Sequence, residues 1–313
     1  MPPKKAGICC INAPCKINLH LQVKNLRSDG FHEIESLFAA LEFADTLRFE
    51  LSGSCGNMEF VQYTDGAERI FDDYLQIPEE KNMVCRAISL FREKTGFDKG
   101  LKAELYKRIP VGAGLGGGSS DAASVLIALD YLAGSRLSED EFMELALTLG
   151  SDVPFFLTGG AAWVRGRGEI LEKTEIPSGL WALLVKPGFS ISTEGAFRAL
   201  DLCREKNQAP APAGINFAQL RGILYGQPEN WPFFNDFLPV LPGAGIFTDI
   251  CAILRGEGAV FAGLSGSGSC CFGIFNEKSL AAKTCKKIQN SECEWYTKLT
   301  FFLARRPYPV LEL

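Results

Sequence analysis

The sequence is poor in histidine, in paired cysteine motifs and in long apolar runs, and each shortage excludes a class of protein. It contains only two histidines, His20 and His32. Two are too few for a histidine-rich metal site and leave little room for a Ser-His-Asp hydrolase. The signatures HExxH, HRD and DFG of zinc proteases and protein kinases are also absent. No apolar run reaches the roughly 20 residues that span a bilayer, so we expect no membrane partner.

Cysteine is plentiful, but it is not arranged for disulfide or zinc chemistry. The eleven cysteines are an odd number, they are scattered along the chain, and none are spaced CxxC. Free thiols of this kind are typical of a reducing compartment. The N-terminal segment also lacks the long apolar core of a signal peptide. The sequence therefore predicts a cytoplasmic protein.

Length and charge set further limits. A chain of 313 residues with 47% hydrophobic and 22% charged residues is typical of a soluble globular protein with two domains. The net charge of −5 disfavours a general nucleic-acid binder, which needs a basic surface. A few local cations can still hold a small anionic substrate.

Residues 16–24 alternate between apolar and polar side chains. Positions 17, 19, 21 and 23 are apolar, whereas Lys16, Asn18 and His20 belong to the opposite, polar set. A period of two predicts a half-buried strand. His20 lies between two leucines, so we expect it to be structural or merely to line a pocket.

Helices and further strands follow without a regular βαβ rhythm. The patterns predict helices near 80–94, 120–132, 138–150 and 278–288, and strands near 46–51, 101–107, 181–186, 260–264, 270–275 and 295–303, the last of which closes the chain. Ser138 and Glu141 form a capping box, and residues 209–214 are the most linker-like stretch. This mixture predicts an α+β fold rather than a doubly wound α/β fold.

The sharpest local signal is a glycine-rich loop that leads directly into a predicted helix. Residues 112–118 contain five glycines. Glycine lets the backbone fold tightly and expose its N–H groups, and a helix start adds unpaired donors and the positive end of a dipole. Together these features predict a concave anion site suited to a polyphosphate.

Other interpretations of this loop stay open at this stage. Gly112, Gly114 and Gly117 match the GxGxxG dinucleotide fingerprint, but the next helix runs into another helix instead of a second strand. A Walker A loop needs a Gly-Lys-Ser/Thr that is missing here. A glycine turn without a ligand would leave the entropic cost of ordering five glycines without a reason.

The loop resembles the phosphate-binding motif of the GHMP kinases, the superfamily of galactose, homoserine, mevalonate and phosphomevalonate kinases. The matching residues are Pro110, Gly112, Gly114, Leu115, Gly116, Gly117, Gly118, Ser119 and Ser120. The second glycine loop of that family is matched by Ser265, Gly266, Ser267 and Gly268. Segments 13–19, 27–33, 150–156 and 235–237 also match, so the resemblance covers nearly the whole chain.

The resemblance implies a two-domain GHMP kinase fold. Residues 1–165 would form an N-terminal, ribosomal protein S5 domain 2-like domain that binds ATP, and residues 166–313 a ferredoxin-like C-terminal domain. It also implies Mg²⁺ together with ATP, with Ser119 or Ser120 as a candidate hydroxyl ligand. We expect small-molecule substrates, no nucleic-acid partner, and a monomer or a weak homodimer.

By the same resemblance, Asp152 and Lys16 are the catalytic residues. Asp152 would accept the proton of the acceptor hydroxyl, while Lys16 would orient Asp152 and offset charge on the transferring phosphoryl group. Cys15 stands where the family usually has alanine, which is a small-for-small change. Without the resemblance, Asp152 would be interpreted as a turn aspartate and Lys16 as a solvated strand lysine.

Phe31 and His32 follow a turn at 27–30 and form a candidate base-recognition site. Such a site needs a flat stacking surface and hydrogen-bonding groups for the base edge. The resemblance implies that they bind a cytosine, with Phe197 on its opposite face and Asn18 also at the substrate. Phe31 replaces a tyrosine that is common in this branch of the family, and Phe197 could instead be an ordinary core aromatic.

Taken as a whole, the resemblance implies ATP-dependent phosphorylation of the 2-hydroxyl of a cytidine-diphosphate-linked methylerythritol, in the non-mevalonate route to isoprenoid precursors. One alternative is another GHMP kinase, acting on mevalonate, a sugar or homoserine. A second is a non-catalytic ligand sensor on the same scaffold, although the presence of both Lys16 and Asp152 disfavours it. An RNA-binding module is a more distant alternative because the chain is acidic.

Overall fold

The computed structural model of the protein describes residues 8–52, 56–64, 81–206 and 216–312. The strands are β1 (Ile8–Leu26), β2 (His32–Ser52), β3 (Met58–Thr64), β4 (Gly100–Lys107), β5 (Ala161–Gly166), β6 (Ile170–Thr174), β7 (Trp181–Lys186), β8 (Phe261–Leu264), β9 (Cys271–Phe275), β10 (Tyr296–Phe301) and β11 (Val310–Glu312). The helices are α1 (Met83–Thr95), α2 (Gly117–Ala133), α3 (Glu139–Leu149), α4 (Val153–Thr158), α5 (Thr193–Glu205), α6 (Phe217–Ile223), α7 (Ala244–Gly256) and α8 (Lys278–Gln289).

The strands form two sheets. The first has seven strands in the order β11-β1-β2-β4-β3, with β5 paired to β2 and β6 paired to β5. The second has four strands in the order β10-β7-β9-β8. The β3–β4 pair is parallel and the other pairs are antiparallel. Antiparallel sheets with separately placed helices confirm the predicted α+β class.

Sheet membership changes between β6 and β7. The predicted boundary between residues 165 and 166 lies within the β5–β6 hairpin, in which Arg165 pairs with Ile170. Both strands of that hairpin belong to the first sheet, and so does β11 at the far end of the chain. The division into 1–165 and 166–313 stays a prediction, and the change of sheet after Thr174 is its structural counterpart.

Most predicted elements are present, with shifted ends. The helix predicted at 80–94 is α1, capped by the Asn82 side chain, which accepts from Val84 N, and ended by a left-handed Gly96. The Ser138–Glu141 capping box is confirmed at the start of α3. The prediction that the strand near 295–303 is the last was wrong, because β11 returns to pair with β1. The predicted linker at 209–214 lies outside the described residues.

Strand β1 is buried on both faces, so the prediction of a half-buried strand was wrong. Lys16, Asn18, His20 and Gln22 are 1–7% exposed. Residues far along the chain cover part of this face, since the His20 ring packs against Phe234 and Lys16 Nζ pairs with Asp152. Alternation of polarity indicates which side chains share a face but not what packs against that face. Here the polar face packs against aromatic rings at His20 and against polar groups at Asn18.

The register of β1 on β2 shifts between Pro14 and Lys16. Proline has no N–H to donate to a neighbouring strand, so it is found at such irregularities. Beyond the shift, the Lys16 N–H donates to the carbonyl of Leu115 at 2.9 Å. The strand is thereby joined to the glycine-rich loop, and Lys16 is fixed beside that loop.

Candidate active site

A cavity of about 960 Å³ collects most of the predicted site residues. Its walls come from β1, the loop between β4 and α2, helix α5 and the loop between β8 and β9. The predicted residues that line it are Lys16, Asn18, Phe31, His32, Pro110, Gly112, Gly114, Leu115, Gly116, Gly117, Gly118, Ser119, Asp152, Phe197, Gly266 and Ser267. Ser120, Ser265 and Gly268 are not part of its lining. Ser120 and Ser265 are instead fully buried.

The glycine-rich loop crosses from β4 into α2 in left-handed backbone conformations. Gly116 has a φ of 70° and caps the N-terminus of α2 without a side chain. A Cβ on Gly116 would lie 2.9 Å from the Phe156 ring and 3.2 Å from Lys16 Cε. Glycine is therefore required both by the backbone angle and by the nearness of its neighbours. The first N–H groups of a helix lack intrahelical partners, so they are available to an anion.

Hydrogen bonds join the two glycine loops directly. The Ser265 hydroxyl donates to the Gly114 carbonyl at 2.9 Å and accepts from the Asn18 N–H at 3.3 Å. The Cys270 N–H donates to the Ala113 carbonyl at 3.1 Å. A Cβ on Gly114 would lie 2.0 Å from the Ser265 carbonyl oxygen. The approach of the two loops therefore depends on the absence of a side chain at Gly114.

The side chain of Asn235 holds the second loop. Its amide donates to the carbonyls of Leu264 and Gly266, both at 2.8 Å, and its Oδ1 accepts from the Phe237 N–H at 2.9 Å. The residue is 7% exposed. Segment 235–237 matches the family motif, but no role for Asn235 could be predicted from it, because its hydrogen-bond partners lie about 30 residues away.

Lys16 and Asp152 form an ion pair at the cavity wall. Lys16 Nζ lies 3.3 Å from Asp152 Oδ2 and donates to Asn18 Oδ1 at 2.6 Å. It also lies 4.4 Å from the centre of the Phe38 ring. The lysine side chain is 4% exposed and the aspartate side chain 32%. Asp152 precedes α4 and makes no capping hydrogen bond with it, so its carboxylate is available to the cavity.

A second cluster of charges lies under the glycine-rich loop. Lys107 Nζ contacts the carboxylates of Asp45 and Asp121, the latter at 2.7 Å. Asp45 Oδ1 also accepts from the Ile109 N–H at 2.8 Å, which fixes the chain just before Pro110. Burial raises the pKa of Asp121 to about 8, although Lys107 opposes that shift. The sequence analysis missed this cluster because Asp45 and Lys107 are 62 residues apart.

The base-recognition candidates gather at the other end of the cavity. The rings of His32 and Phe197 are stacked, with centroids 5.0 Å apart and an angle of 19°. His32 Nε2 lies 3.0 Å from Asp201 Oδ1. Phe31 is 47% exposed, and Arg167 lies 5.1 Å from its ring centre. Asp201 and Arg167 were not predicted, and no local sequence pattern distinguishes them from other surface charges.

His20 is structural, as one of the two sequence interpretations held. It is 1% exposed, and its ring packs edge-on against Phe234 with centroids 4.6 Å apart. Its Nδ1 accepts weakly from the Phe234 N–H at 3.4 Å. Burial lowers the pKa of His20 to about 3. The imidazole is therefore neutral at physiological pH and takes no part in the cavity lining.

Two family models match the chain. Residues 82–160 match the GHMP kinases N terminal domain, and residues 246–294 match the GHMP kinases C terminal domain. A 4-diphosphocytidyl-2-C-methyl-D-erythritol kinase of Thermodesulfovibrio yellowstonii is 39% identical over 89% of this chain and 93% of its own length. The chain belongs to the 4-diphosphocytidyl-2-C-methyl-D-erythritol kinase family of GHMP kinases. It is accordingly a phosphotransferase.

Further relatives support the family assignment and the fold. The kinase of the same name from Thermoanaerobacter pseudethanolicus is 37% identical over 85% of this chain and 87% of its own. A crystal structure of 4-(cytidine 5'-diphospho)-2C-methyl-D-erythritol kinase superposes with a TM-score of 0.74 at 31% identity, covering 93% of this chain and 98% of that one. A homoserine kinase structure from Cytophaga hutchinsonii has a TM-score of 0.67 at 19% identity, with 99% of each chain covered, and shares the fold.

Membrane-spanning helices and clusters of metal-binding side chains are both absent from the described residues. Across residues 8–52, 56–64, 81–206 and 216–312, no helix combines the length and apolar character that a membrane crossing requires. The same residues contain no group of three or more His, Cys, Asp or Glu side chains placed to hold a metal ion. The cytoplasmic location and the oligomeric state stay predictions.

Proposed function

We propose that the protein transfers the γ-phosphoryl group of ATP to the 2-hydroxyl of 4-diphosphocytidyl-2-C-methyl-D-erythritol, within isoprenoid precursor biosynthesis. Family membership supports the reaction class, and one observation in the site supports the chemistry. That observation is the Lys16–Asp152 ion pair, which lies on the same cavity wall as the glycine-rich loop. The carboxylate is the partly exposed member of the pair, so it is the group that can reach an acceptor alcohol.

In the proposed reaction, Asp152 accepts the proton of the acceptor hydroxyl. The acceptor oxygen forms a bond to the γ-phosphorus while the bond from that phosphorus to the bridging β,γ-oxygen breaks, and ADP leaves. Lys16 orients the carboxylate and offsets negative charge on the transferring group. Because phosphoryl transfer asks little covalent chemistry of a protein, positioning and electrostatics supply most of the rate enhancement.

The first glycine loop would hold the ATP phosphates. Its residues in this role are Pro110, Gly112, Gly114, Leu115, Gly116, Gly117, Gly118, Ser119 and Ser120. The N-terminus of α2 directs its positive dipole end at this loop, and α2 is 17 residues long. Ser265, Gly266, Ser267 and Gly268 would support the first loop from the second domain, as the Ser265–Gly114 hydrogen bond suggests.

The donor groups at this loop suit Mg²⁺, which prefers oxygen ligands and usually takes one or two carboxylates together with phosphate oxygens. Ser119 and Asp121 both line the cavity. Asp121 Oδ1 is buried and has no hydrogen-bond partner in the described part of the chain. Ser119 would therefore be the hydroxyl ligand of the ion, which when bound would neutralise phosphate charge. Asp121 is already paired with Lys107, and its raised pKa disfavours the ionised form that a metal ligand needs. Ser120, the other predicted hydroxyl, is fully buried and is not part of the cavity lining.

The cytidyl end of the substrate would bind at Phe31, His32 and Phe197, with Asn18 between this end and the phosphates. All four line the cavity. Phe31 is 47% exposed and so offers ring surface to a base, whereas Phe197 is already stacked on His32. Asn18 donates to Ser36 Oγ at 3.0 Å and accepts from Lys16, so its amide is fixed in orientation.

The test is ATP turnover with a panel of acceptors: the cytidyl substrate, mevalonate, galactose and homoserine. We expect turnover with the cytidyl substrate alone, and a product whose new phosphate is assigned to the 2-position by phosphorus NMR. Turnover with another acceptor instead would favour a different GHMP kinase activity. An absence of ATP consumption with every acceptor would favour the ligand-sensor alternative.

A further inference from the structure

His32, a residue of the proposed base-recognition site, contacts the carboxylate of Asp201, which no sequence pattern distinguishes. Phe197 and Asp201 lie four residues apart on α5, so both face the same side of that helix. Phe197 stacks on the His32 ring and Asp201 contacts His32 Nε2 at 3.0 Å. Phe197 is itself packed edge-on against Phe237, with centroids 4.9 Å apart. The plane of the His32 ring is therefore fixed from one side and along one edge.

A carboxylate next to an imidazole nitrogen decides which nitrogen carries the proton. An ionised carboxylate can only accept a hydrogen bond, so the His32 nitrogen that faces it must be the N–H. In neutral histidine the other nitrogen is then an acceptor. A neutral His32 would accordingly donate from Nε2 to Asp201 and leave Nδ1 as the acceptor.

His32 Nδ1 makes no hydrogen bond within the described residues. It is also not fully buried, since the buried polar atoms without a partner do not include it. His32, Phe197 and Asp201 all line the cavity. A ligand placed against Phe31 and Phe197 would thus meet a hydrogen-bond acceptor whose orientation is set in advance.

We propose that Asp201 is a positioning residue that makes His32 an acceptor toward the nucleobase and thereby selects a base with an exocyclic amino group. Cytosine presents such an amino donor. Uracil presents a carbonyl oxygen at the same position, and this acceptor would face the His32 Nδ1 acceptor without a hydrogen between them. A site built for one hydrogen bond rejects an analogue that leaves its polar group unpaired. The inference rests on the proposed function and specifies how that function distinguishes its substrate.

The test compares Asp201→Asn with wild type on the cytidine-linked substrate and its uridine-linked analogue. An amide can donate as well as accept, so asparagine keeps the shape of the side chain but no longer fixes the tautomer. We expect the cytidine-over-uridine ratio of kcat/KM to fall about tenfold, the effect of losing roughly one hydrogen bond. The change should lie in KM for the cytidyl substrate, with KM for ATP unchanged. Asp249→Asn, an exposed aspartate on α7 outside the cavity lining, is the matched control and should keep the wild-type ratio.

An independent readout is the tautomer itself. Because the chain has only two histidines, a long-range proton–nitrogen NMR spectrum contains two imidazoles. We expect His32 of the wild type to carry its proton on Nε2, and Asp201→Asn to show a mixture. An unchanged base preference in Asp201→Asn, or a wild-type His32 protonated on Nδ1, would overturn the proposal. Wild-type inactivity on both substrates would reject the proposed function, and the spectrum would still decide whether Asp201 sets the tautomer.

Discussion

At the scale of single residues, Asp152 is the group whose removal should change the chemical step most directly. Asp152→Asn keeps the shape of the side chain and removes the proton acceptor beside Lys16. We expect kcat to fall by roughly 10²–10⁴, the usual contribution of a general base. Binding of ATP should stay nearly intact, because Asp152 is not part of the glycine loop. Steady-state kinetics and nucleotide titration measure both quantities.

The control for that variant is Asp140→Asn, an exposed aspartate in the first turn of α3. It should retain wild-type kcat, since it lies outside the cavity lining. If Asp152→Asn also retained full activity, Asp152 would have no place in the mechanism and another group would have to accept the proton.

His20 should make the protein sensitive to acid. Its folded pKa is lowered to about 3 by burial, against about 6.5 when unfolded. A lowered folded pKa gives stability that is present above pH 6.5 and is lost as pH falls towards 3. We expect the free energy of unfolding of the wild type to fall, relative to His20→Asn, by up to about 1.4 kcal/mol per pH unit below 6.5. Urea unfolding at pH 7, 6 and 5 measures it, and parallel pH profiles would contradict it.

At the scale of elements, the contact between the two glycine loops depends on Gly114. In Gly114→Ala the new Cβ would meet the Ser265 carbonyl at 2.0 Å, on a backbone with a φ of 73°. We expect a loss of roughly 2–5 kcal/mol in the free energy of unfolding, from steric overlap and left-handed strain together. Chemical denaturation measures this loss.

Gly222→Ala is the matched control for the loop variant. Gly222 lies in α6, and a Cβ there meets nothing within 4 Å. Alanine in a helix should leave stability unchanged or raise it by up to about 1 kcal/mol. Equal stability of the Gly114 and Gly222 variants would mean that the two loops can separate without cost.

Asn235 provides a second test of the same loop. Asn235→Ala leaves the carbonyls of Leu264 and Gly266 without their shared donor in a buried position. We expect a loss of about 1–3 kcal/mol in the free energy of unfolding, the usual cost of orphaned buried polar groups. Asn276→Ala, which removes an exposed bond to Glu229, should change it by less than about 0.5 kcal/mol. Thermal denaturation of the two variants side by side distinguishes these outcomes.

At the scale of the whole molecule, the cavity is lined by residues of both halves of the chain, from Lys16 to Ser267. A ligand that binds there should stabilise the two halves together. With a non-hydrolysable ATP analogue at 100 times its Kd, we expect about 2.7 kcal/mol of added stability, seen as a single shifted thermal transition. Two transitions of which only one shifts would show that the halves unfold separately.

Packing across the whole molecule also explains why β1 is buried on both faces, although its sequence predicted a half-buried strand. Its alternating pattern correctly indicated a strand and the two sets of side chains. The pattern could not indicate that Phe233 and Phe234, more than 200 residues later, pack against His20 of the polar set. The family motif alone predicted Lys16 as a site residue. That its side chain is buried, with only 3% of the residue exposed, is a result of the fold.

The sequence by itself determined the features that depend on neighbours in the chain. The glycine loop, the capping box at Ser138, and the periods of strands and helices are local, because backbone angles and capping hydrogen bonds involve residues a few positions apart. Only the tertiary structure decided the pairing of Lys107 with Asp45, of Asn235 with the second loop, and of His32 with Asp201, which is 169 residues away. Side chains so distant meet only after the sheets have packed, and no period or motif in a single sequence records which of many similar charges will meet.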